Sequence, residues 1–343
     1  MKNISKNLLL TPFISMLLVF APVKADINVV TSIKPLHSLT SYIMEGVGEP
    51  GLIIDGVTSP HNFQIKPSHA KMLQKADLVI WVGEDLESFL PTALKSIPKN
   101  SVVFPLLEQS GLKKLKFREK NIFDDHDGHE DEHEGHEDED DHGHKDDDHD
   151  DDHDGHEDEH EGHDDDHKDA HAHAHGEFDP HIWLDPENAK EMVKIIRDEL
   201  IKIDPDGQRQ YSVNTAGATL ELDNLINSVE KELSKDISYI VFHDAYQYFE
   251  NRFGVIPAGA LTLNPDVLPG AKQIADIQDV INDKGIKCIF SEPQYTPKRI
   301  ETIGNVMKIS TGVMDPLGAY IDAGPSMYSD LINGIANSIK DCH

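Results

Sequence analysis

Leu220-Glu221-Leu222-Asp223-Asn224-Leu225-Ile226-Asn227-Ser228-Val229-Glu230-Lys231-Glu232-Leu233 closes a helical pattern that begins at about Gln208. Leu220, Leu222, Leu225, Ile226, Val229 and Leu233 carry its apolar face. At about 1.5 Å per residue the predicted helix is roughly 39 Å long. That is unusual for a helix that only crosses between neighbouring strands, and it suits a spine between two domains. Just upstream, Asp204-Pro205-Asp206-Gly207 breaks the chain. Before the break an earlier helix opens at Pro186-Glu187 and runs to about Ile203. Its Met192, Val193, Ile195, Ile196, Leu200 and Ile203 give one buried stripe.

Outward from this spine, both flanks alternate strand and helix. On the N-terminal side, strands are predicted at 26–32, 52–57, 78–82 and 102–105, with helices at 35–44, 67–76 and 84–96. On the C-terminal side, strands are predicted at 239–242, 255–261, 286–290 and 306–310. Helices are predicted there at 247–253, 271–283, 297–303 and 326–339. Nearly continuous apolar runs such as Leu78-Val79-Ile80-Trp81-Val82 read as strands buried on both faces. Such alternation predicts an α/β protein with a parallel sheet and flanking helices in each half. The expected division is an N-terminal lobe at 26–206, a linker helix at 207–234 and a C-terminal lobe at 235–343.

Composition is uneven along the 343 residues. The chain has 31 Lys+Arg, 63 Asp+Glu and 21 His, for a formal charge of -32. Residues 124–177 hold 28 of the acids, 2 Lys and 15 of the histidines, so this tract carries -26 of the total. The remainder is unremarkable in charge. His126 to His136 recurs unchanged as His153 to His163, and the tract has no Val, Ile, Leu, Met or aromatic residue. It has no apolar area to offset ordering entropy, so it is expected to be a disordered insertion with the composition of a metal-binding segment. A chain this acidic is not expected to coat nucleic acid.

Lys2 and Lys6 precede an apolar run from Leu8 to Phe20, and Val23-Lys24-Ala25 sets small residues before a cleavage point. Residues 1–25 read as a signal peptide cut after Ala25, too short to span a bilayer. An exported protein can oxidise its two cysteines, Cys288 and Cys342. The spacing leaves open whether they pair or stay reduced.

Outside the tract stand His37, His61, His69, His181, His243 and the C-terminal His343. His37 and His69 fall in or near helices and read as structural or surface residues. His61 follows Thr58-Ser59-Pro60 just beyond the second strand. His243 ends the run Tyr239-Ile240-Val241-Phe242. His181 lies in Asp179-Pro180-His181-Ile182-Trp183-Leu184-Asp185-Pro186, stiffened by two prolines. Ligands gather beyond the carboxyl ends of strands in open α/β sheets. Neutral imidazoles bind zinc well, so three from three loops plus a carboxylate or water would complete a tetrahedral site. Asp315, before Pro316-Leu317-Gly318, is the candidate carboxylate, with an ordinary Asp-Pro turn as the competing reading.

These residues resemble the zinc-binding members of the metal-specific solute-binding proteins of bacterial ABC transporters, the ZnuA family. The resemblance covers essentially the whole chain. It is carried by Val30-Thr31-Ser32-Ile33-Lys34-Pro35-Leu36, Ser59-Pro60-His61, Pro180-His181-Ile182-Trp183-Leu184, Phe242-His243-Asp244-Ala245-Tyr246, Ser291-Glu292-Pro293-Gln294 and Asp315-Pro316-Leu317-Gly318. It implies two lobes joined by one long rigid helix, Zn²⁺ in the cleft between them, and His61, His181 and His243 as ligands. Asp315 matches a position that ligates in some relatives and not in the zinc type generally; some zinc binders have an acidic residue beside the first ligand, where this chain has Pro60, so water is a candidate fourth ligand. Related manganese binders tend to carry a carboxylate where His243 stands, and imidazole there favours zinc. The family disulfide, where present, joins the Cys288 position to one near Met307; no Cys stands there, which leaves Cys342 as a substitute partner.

The function so implied is high-affinity capture of Zn²⁺ in the periplasm and delivery to the membrane subunit of an ABC permease. The expected state is a monomer that is not an enzyme and has no nucleic-acid partner. A periplasmic metallochaperone is a further candidate partner. The tract would act as a multivalent collector whose grip fades as pH falls through about 6.5. Three alternatives stand beside this reading. One is manganese or another divalent cargo. Another is a zinc hydrolase with a His₃-water site, for which Glu292 or Asp244 could be the base although no HExxH motif is present. The third is an adhesin or zinc buffer without a permease.

Overall fold

The computed structural model describes residues 27–123, 176–267, 269–295, 305 and 308–342. The expected signal peptide, nearly all of the acidic histidine tract and the short helix expected at 297–303 lie outside the described residues.

Each half contains a four-stranded parallel sheet. In the first, β1 (Val29–Ile33), β2 (Gly51–Ile54), β3 (Leu78–Trp81) and β4 (Val102–Pro105) stand in the order β2-β1-β3-β4. In the second, β5 (Tyr239–His243), β6 (Gly259–Thr262), β7 (Cys288–Ser291) and β8 (Ser310–Val313) stand in the order β6-β5-β7-β8. All pairings within the two sheets are parallel. Every residue of β1, β3, β5, β6 and β7 is buried, as strands covered on both faces require. The same order in both halves places a topological switch beside β1 in one sheet and beside β5 in the other. Loops leaving neighbouring strands part there and open a crevice.

The helices are α1 (Lys34–Met44), α2 (Pro67–Leu73), α3 (Leu90–Leu94), α4 (Pro186–Ile203), α5 (Gln208–Glu232), α6 (Gln247–Phe253), α7 (Ala271–Lys284) and α8 (Met327–Lys340). Helix α5 has 25 residues, about 38 Å. It packs along α4 and α1 and also meets α8. Leu222, Leu225, Ile226, Val229 and Leu233 are buried, but Leu220 is 62% exposed. Two residues turn a helix by about 200°, so Leu220 cannot share a face with Leu222. Among the described residues no helix is long and apolar enough to cross a membrane.

Several predicted elements are shorter than expected, and in two of them a proline is the cause. The helix expected at 84–96 is reduced to α3, which starts at Leu90-Pro91. A continuous helix would drive the Pro91 ring against the carbonyl of Glu87. The strand expected at 255–261 begins only at Gly259, after Pro257, which cannot donate to a ladder. The last strand expected, 306–310, is Ser310–Val313 among the described residues; Val306 and Met307 lie outside them. Cys288 and Cys342 form a disulfide, with Cα atoms 5.7 Å apart, which ties the segment after α8 to β7.

The chain shortly before α3 serves a buried acid. Glu87 is fully buried; its Oε1 accepts from Ser32 Oγ at 2.5 Å and Val82 N–H at 3.3 Å, and its Oε2 from Gly83 N–H at 3.0 Å. Burial pushes its carboxyl from 4.5 up to about 7, against these donors. A carboxyl raised on folding stabilises fully below its unfolded value and loses that contribution as pH rises through its folded value. The loss amounts to roughly 3 kcal/mol between about pH 4.5 and pH 7. Glu87→Gln is therefore expected to bring the metal-free urea midpoints at pH 5 and pH 8 closer together than in the parent. An unchanged gap would contradict this.

Candidate metal centre

His243 is the last residue of β5, and β7 lies beside it across the switch point. Glu292, the residue after β7, therefore meets the His243 ring: its Oε1 is 2.6 Å from Nδ1. Both side chains are buried. His181 is fixed from its own loop. Asp179 Oδ1 accepts from the His181 backbone N–H at 2.9 Å and lies 2.7 Å from its Nδ1. Ile182, Trp183 and Leu184 are wholly buried, and Asp185 caps α4 by accepting from Glu187 N–H. Arg252 grips the same Asp185 carboxylate through two hydrogen bonds of 2.6 and 2.9 Å. The rigid entry to α4 thus presents His181 from beneath.

When ionised, a carboxylate accepts and does not donate, so in that form Asp179 and Glu292 hold the proton of each ring on Nδ1 and leave the Nε2 lone pairs facing inward. The two Nε2 atoms stand 3.4 Å apart. Nitrogens of two tetrahedral zinc ligands, each about 2.0–2.1 Å from the ion, are separated by about 3.3–3.4 Å. His61, in the loop after β2, completes the cluster. Its ring centroid lies 5.5 Å from that of His181 and 5.8 Å from that of His243. Among the described residues these three form a converging group of ligating side chains, with donor atoms all within 4.8 Å of one another. The loop carrying His61 meets the other half through Ser59 Oγ, 2.8 Å from Tyr295 Oη.

Asp315 is not drawn into this group. Its Oδ1 accepts from Gln294 Nε2 at 2.9 Å and Leu317 N–H at 3.0 Å, and its Oδ2 from Ala319 N–H at 2.5 Å. Both oxygens close the turn that Asp-Pro also suggests. The adjoining Pro316 and Leu317 line the small cavity over the histidines, together with Trp183, Gln294 and Tyr295. His37 and His69 lie elsewhere, on α1 and α2.

Burial, and then the neighbouring His243, hold the His181 pKa well below its ordinary value, so this ring stays neutral. Burial is the largest single influence on His243 and opposes its charge, but the carboxylates of Glu292, Asp244 and Asp179 together outweigh it and the His243 pKa lies above the ordinary value. Behind the rings, Asp179, Asp244 and Glu250 are buried around one cation. Arg118 donates to Asp244 Oδ1 at 2.7 Å and to Glu250 Oε2 at 2.9 Å, with its guanidinium 4.0 Å from the Phe123 ring centre. Burial pushes Asp179 and Glu250 up to about 7 even so.

Reading the sequence alone did not assign Asp179 and Glu292 to the rings they orient. The Asp179 signal was local, two residues before His181. The Glu292 signal was not, because it needs the sheet order that sets β7 beside β5. Carboxylates in this position raise the basicity of a ligating histidine and fix its tautomer. Glu292→Gln is expected to weaken zinc binding about 10–100-fold. Competition against a chelator measures it, and an affinity within twofold of the parent would contradict the assignment.

The layout is that of a metal-binding two-sheet α/β protein, with three imidazoles at the crevice between its halves. The chain belongs to the ZnuA family, described as "zinc-uptake complex component A periplasmic", whose model matches residues 29–342. It is 45% identical over 317 residues to the high-affinity zinc uptake system protein ZnuA of Brucella abortus, covering 92% of this chain and 91% of that one. It is 38% identical to the protein of that name from Haemophilus influenzae, covering 98% and 99%. A crystal structure of a zinc-bound ZnuA deletion mutant superposes with a TM-score of 0.68 at 19% identity, covering 92% of this chain and 97% of that one.

Proposed function

We propose that this chain captures Zn²⁺ in the periplasm and delivers it to the membrane subunit of an ABC permease. His61, His181 and His243 would hold the ion, with water completing the tetrahedron, since both Asp315 oxygens close their own turn. The observation that carries the reading is the 3.4 Å separation of two Nε2 atoms whose Nδ1 partners are carboxylates. An all-imidazole set suits zinc better than Mn²⁺, which prefers carboxylate and water. The chain would act as a carrier and not as an enzyme: Asp179 and Glu292, the carboxylates nearest the rings, each hold an Nδ1. It would work as a monomer of two lobes, 26–206 and 235–343, about the linker helix at 207–234. Residues 1–25 would direct export, and the 15 histidines of the tract would raise the local zinc concentration near the cleft. A periplasmic metallochaperone remains a candidate partner in loading.

Titration with Zn²⁺ and Mn²⁺ against a competing chelator tests the cargo. One tight Zn²⁺ site per chain, retained after deletion of 124–175, and much weaker Mn²⁺ are expected. Equal affinity for Mn²⁺ would sink the zinc reading. Unchanged zinc loading under chelation after the deletion would remove the collector role.

A further inference from the structure

Lys34 follows β1 at the switch point of the first sheet, yet its side chain ends in the other half of the chain. Its Nζ donates to the carbonyls of Gly318 at 3.2 Å, Ala319 at 2.9 Å and Ile321 at 2.9 Å. An ammonium has three N–H donors, so these carbonyls saturate it. Asp55 Oδ1, on the residue after β2, lies 3.3 Å away and supplies a counter-charge. Lys34 is 6% exposed, although lysine is almost never buried without such partners.

The loop it grips, 315–321, starts with the turn closed by Asp315 and contributes Pro316 and Leu317 to the cavity over the histidines. Trp183 Nε1 donates to the Pro316 carbonyl at 2.8 Å, so the loop is held at a second point from beside His181. Gly318 sits at φ 65°, a left-handed conformation that lets consecutive carbonyls turn toward one amine. Besides the Lys34 contacts, the first part of the loop is held by Asp315, which accepts from Leu317 N–H and Ala319 N–H, and its last part by Ile321 N–H donating to Gly318 O at 3.1 Å.

We propose that Lys34 is a positioning residue that latches the 315–321 loop over the three histidines and thereby sets how long a bound zinc ion is retained. This rests on the zinc-capture reading. The latched loop keeps Pro316 and Leu317 against the site and limits the entry of water that must replace imidazole ligands on release. Because Lys34 touches no ligand, its effect on release and hence on affinity comes through the loop that covers the bound ion and not through the nitrogens themselves.

Lys34→Met keeps the aliphatic stem and removes all three donors. Zinc release from the full chain into excess chelator is expected to quicken about tenfold, with association within about threefold of the parent. Amide exchange at 317–321 should quicken as well. A freed loop with unchanged release would overturn the latch. So would release and association altered only in step with a loss of global stability in urea. Should Lys34→Met fail to fold, Lys34→Arg decides by the same readouts, since a planar fork cannot meet three carbonyls arranged around one nitrogen. If the parent holds no zinc tightly, the capture reading fails on its own. Amide exchange in the metal-free variant then still decides whether Lys34 holds the loop.

Discussion

His181→Ala is expected to weaken zinc binding by about 10²–10³-fold. Structural zinc sites bind with roughly 10–16 kcal/mol shared over about four ligands, so one imidazole accounts for roughly 2.5–4 kcal/mol. The loss is larger than for Glu292→Gln because a bond to the metal disappears, where the other change only loosens a ring. His181 is also the ring most ready to bind, since burial keeps it neutral. Its removal leaves Asp179 Oδ1 with the backbone N–H of residue 181 but no imidazole partner, in a wholly buried place. A metal-free Tm close to that of the parent, measured at pH 6, would separate lost ligation from lost folding. The triple His61/His181/His243→Ala variant is expected to lose the tight site altogether and to keep only weak, salt-sensitive binding by the tract. One tight zinc ion on the triple variant would refute the assignment.

The second large effect concerns folding. Arg118→Met is expected to destabilise the metal-free protein by about 3–5 kcal/mol, because removing one partner of a buried ion pair strands the others. The stranded groups are Asp244 and Glu250, both buried, with Asp179 close by. Burial already raises the Glu250 carboxyl to about 7 with the guanidinium present, and losing that cation raises it further. Carboxyls raised in the folded state contribute most stability at low pH and lose it as pH rises through the folded pKa. The deficit should therefore grow between pH 5 and pH 8, as urea midpoints would show. Arg118→Lys should recover only part, since a point charge cannot reach both carboxylates as a fork does. A variant as stable as the parent at pH 8 would contradict this account. Arg118 also stands near where residues 121–123 join the edge of β6, through Ala260 N–H to Asn121 O at 2.8 Å and Phe123 N–H to Ala258 O at 3.1 Å. The acidic tract thus departs from a segment fixed to the second sheet.

Much of the fold was legible because its signals are local. Helix α4 runs over Pro186–Ile203 as its proline, acidic first turn and breaking Asp204-Pro205 predict. Helix α6 likewise ends at Phe253, before Gly254 at φ 66°. The misjudged elements, 84–96 and 255–261, each contain a proline whose meaning was local but was overridden by apolar content. Leu220 was grouped with Leu222 by composition when angular spacing separates them. At the site, strand ends and stiff loops pointed to His61, His181 and His243, and the structure brings these three together. Glu292 and Arg118 could not be placed without knowing which strands are neighbours. The Lys34 contacts span more than 280 residues, and no pattern around Lys34 announces them.

One zinc ion is expected among the three imidazoles at the crevice. Diffraction from crystals of the full chain loaded with one equivalent of Zn²⁺, recorded on both sides of the zinc absorption edge, tests it directly. A single anomalous peak is expected about 2.0–2.1 Å from one nitrogen of each of His61, His181 and His243, with a water oxygen as the fourth neighbour. A peak bound by Asp315, or one lying away from these histidines, would contradict it.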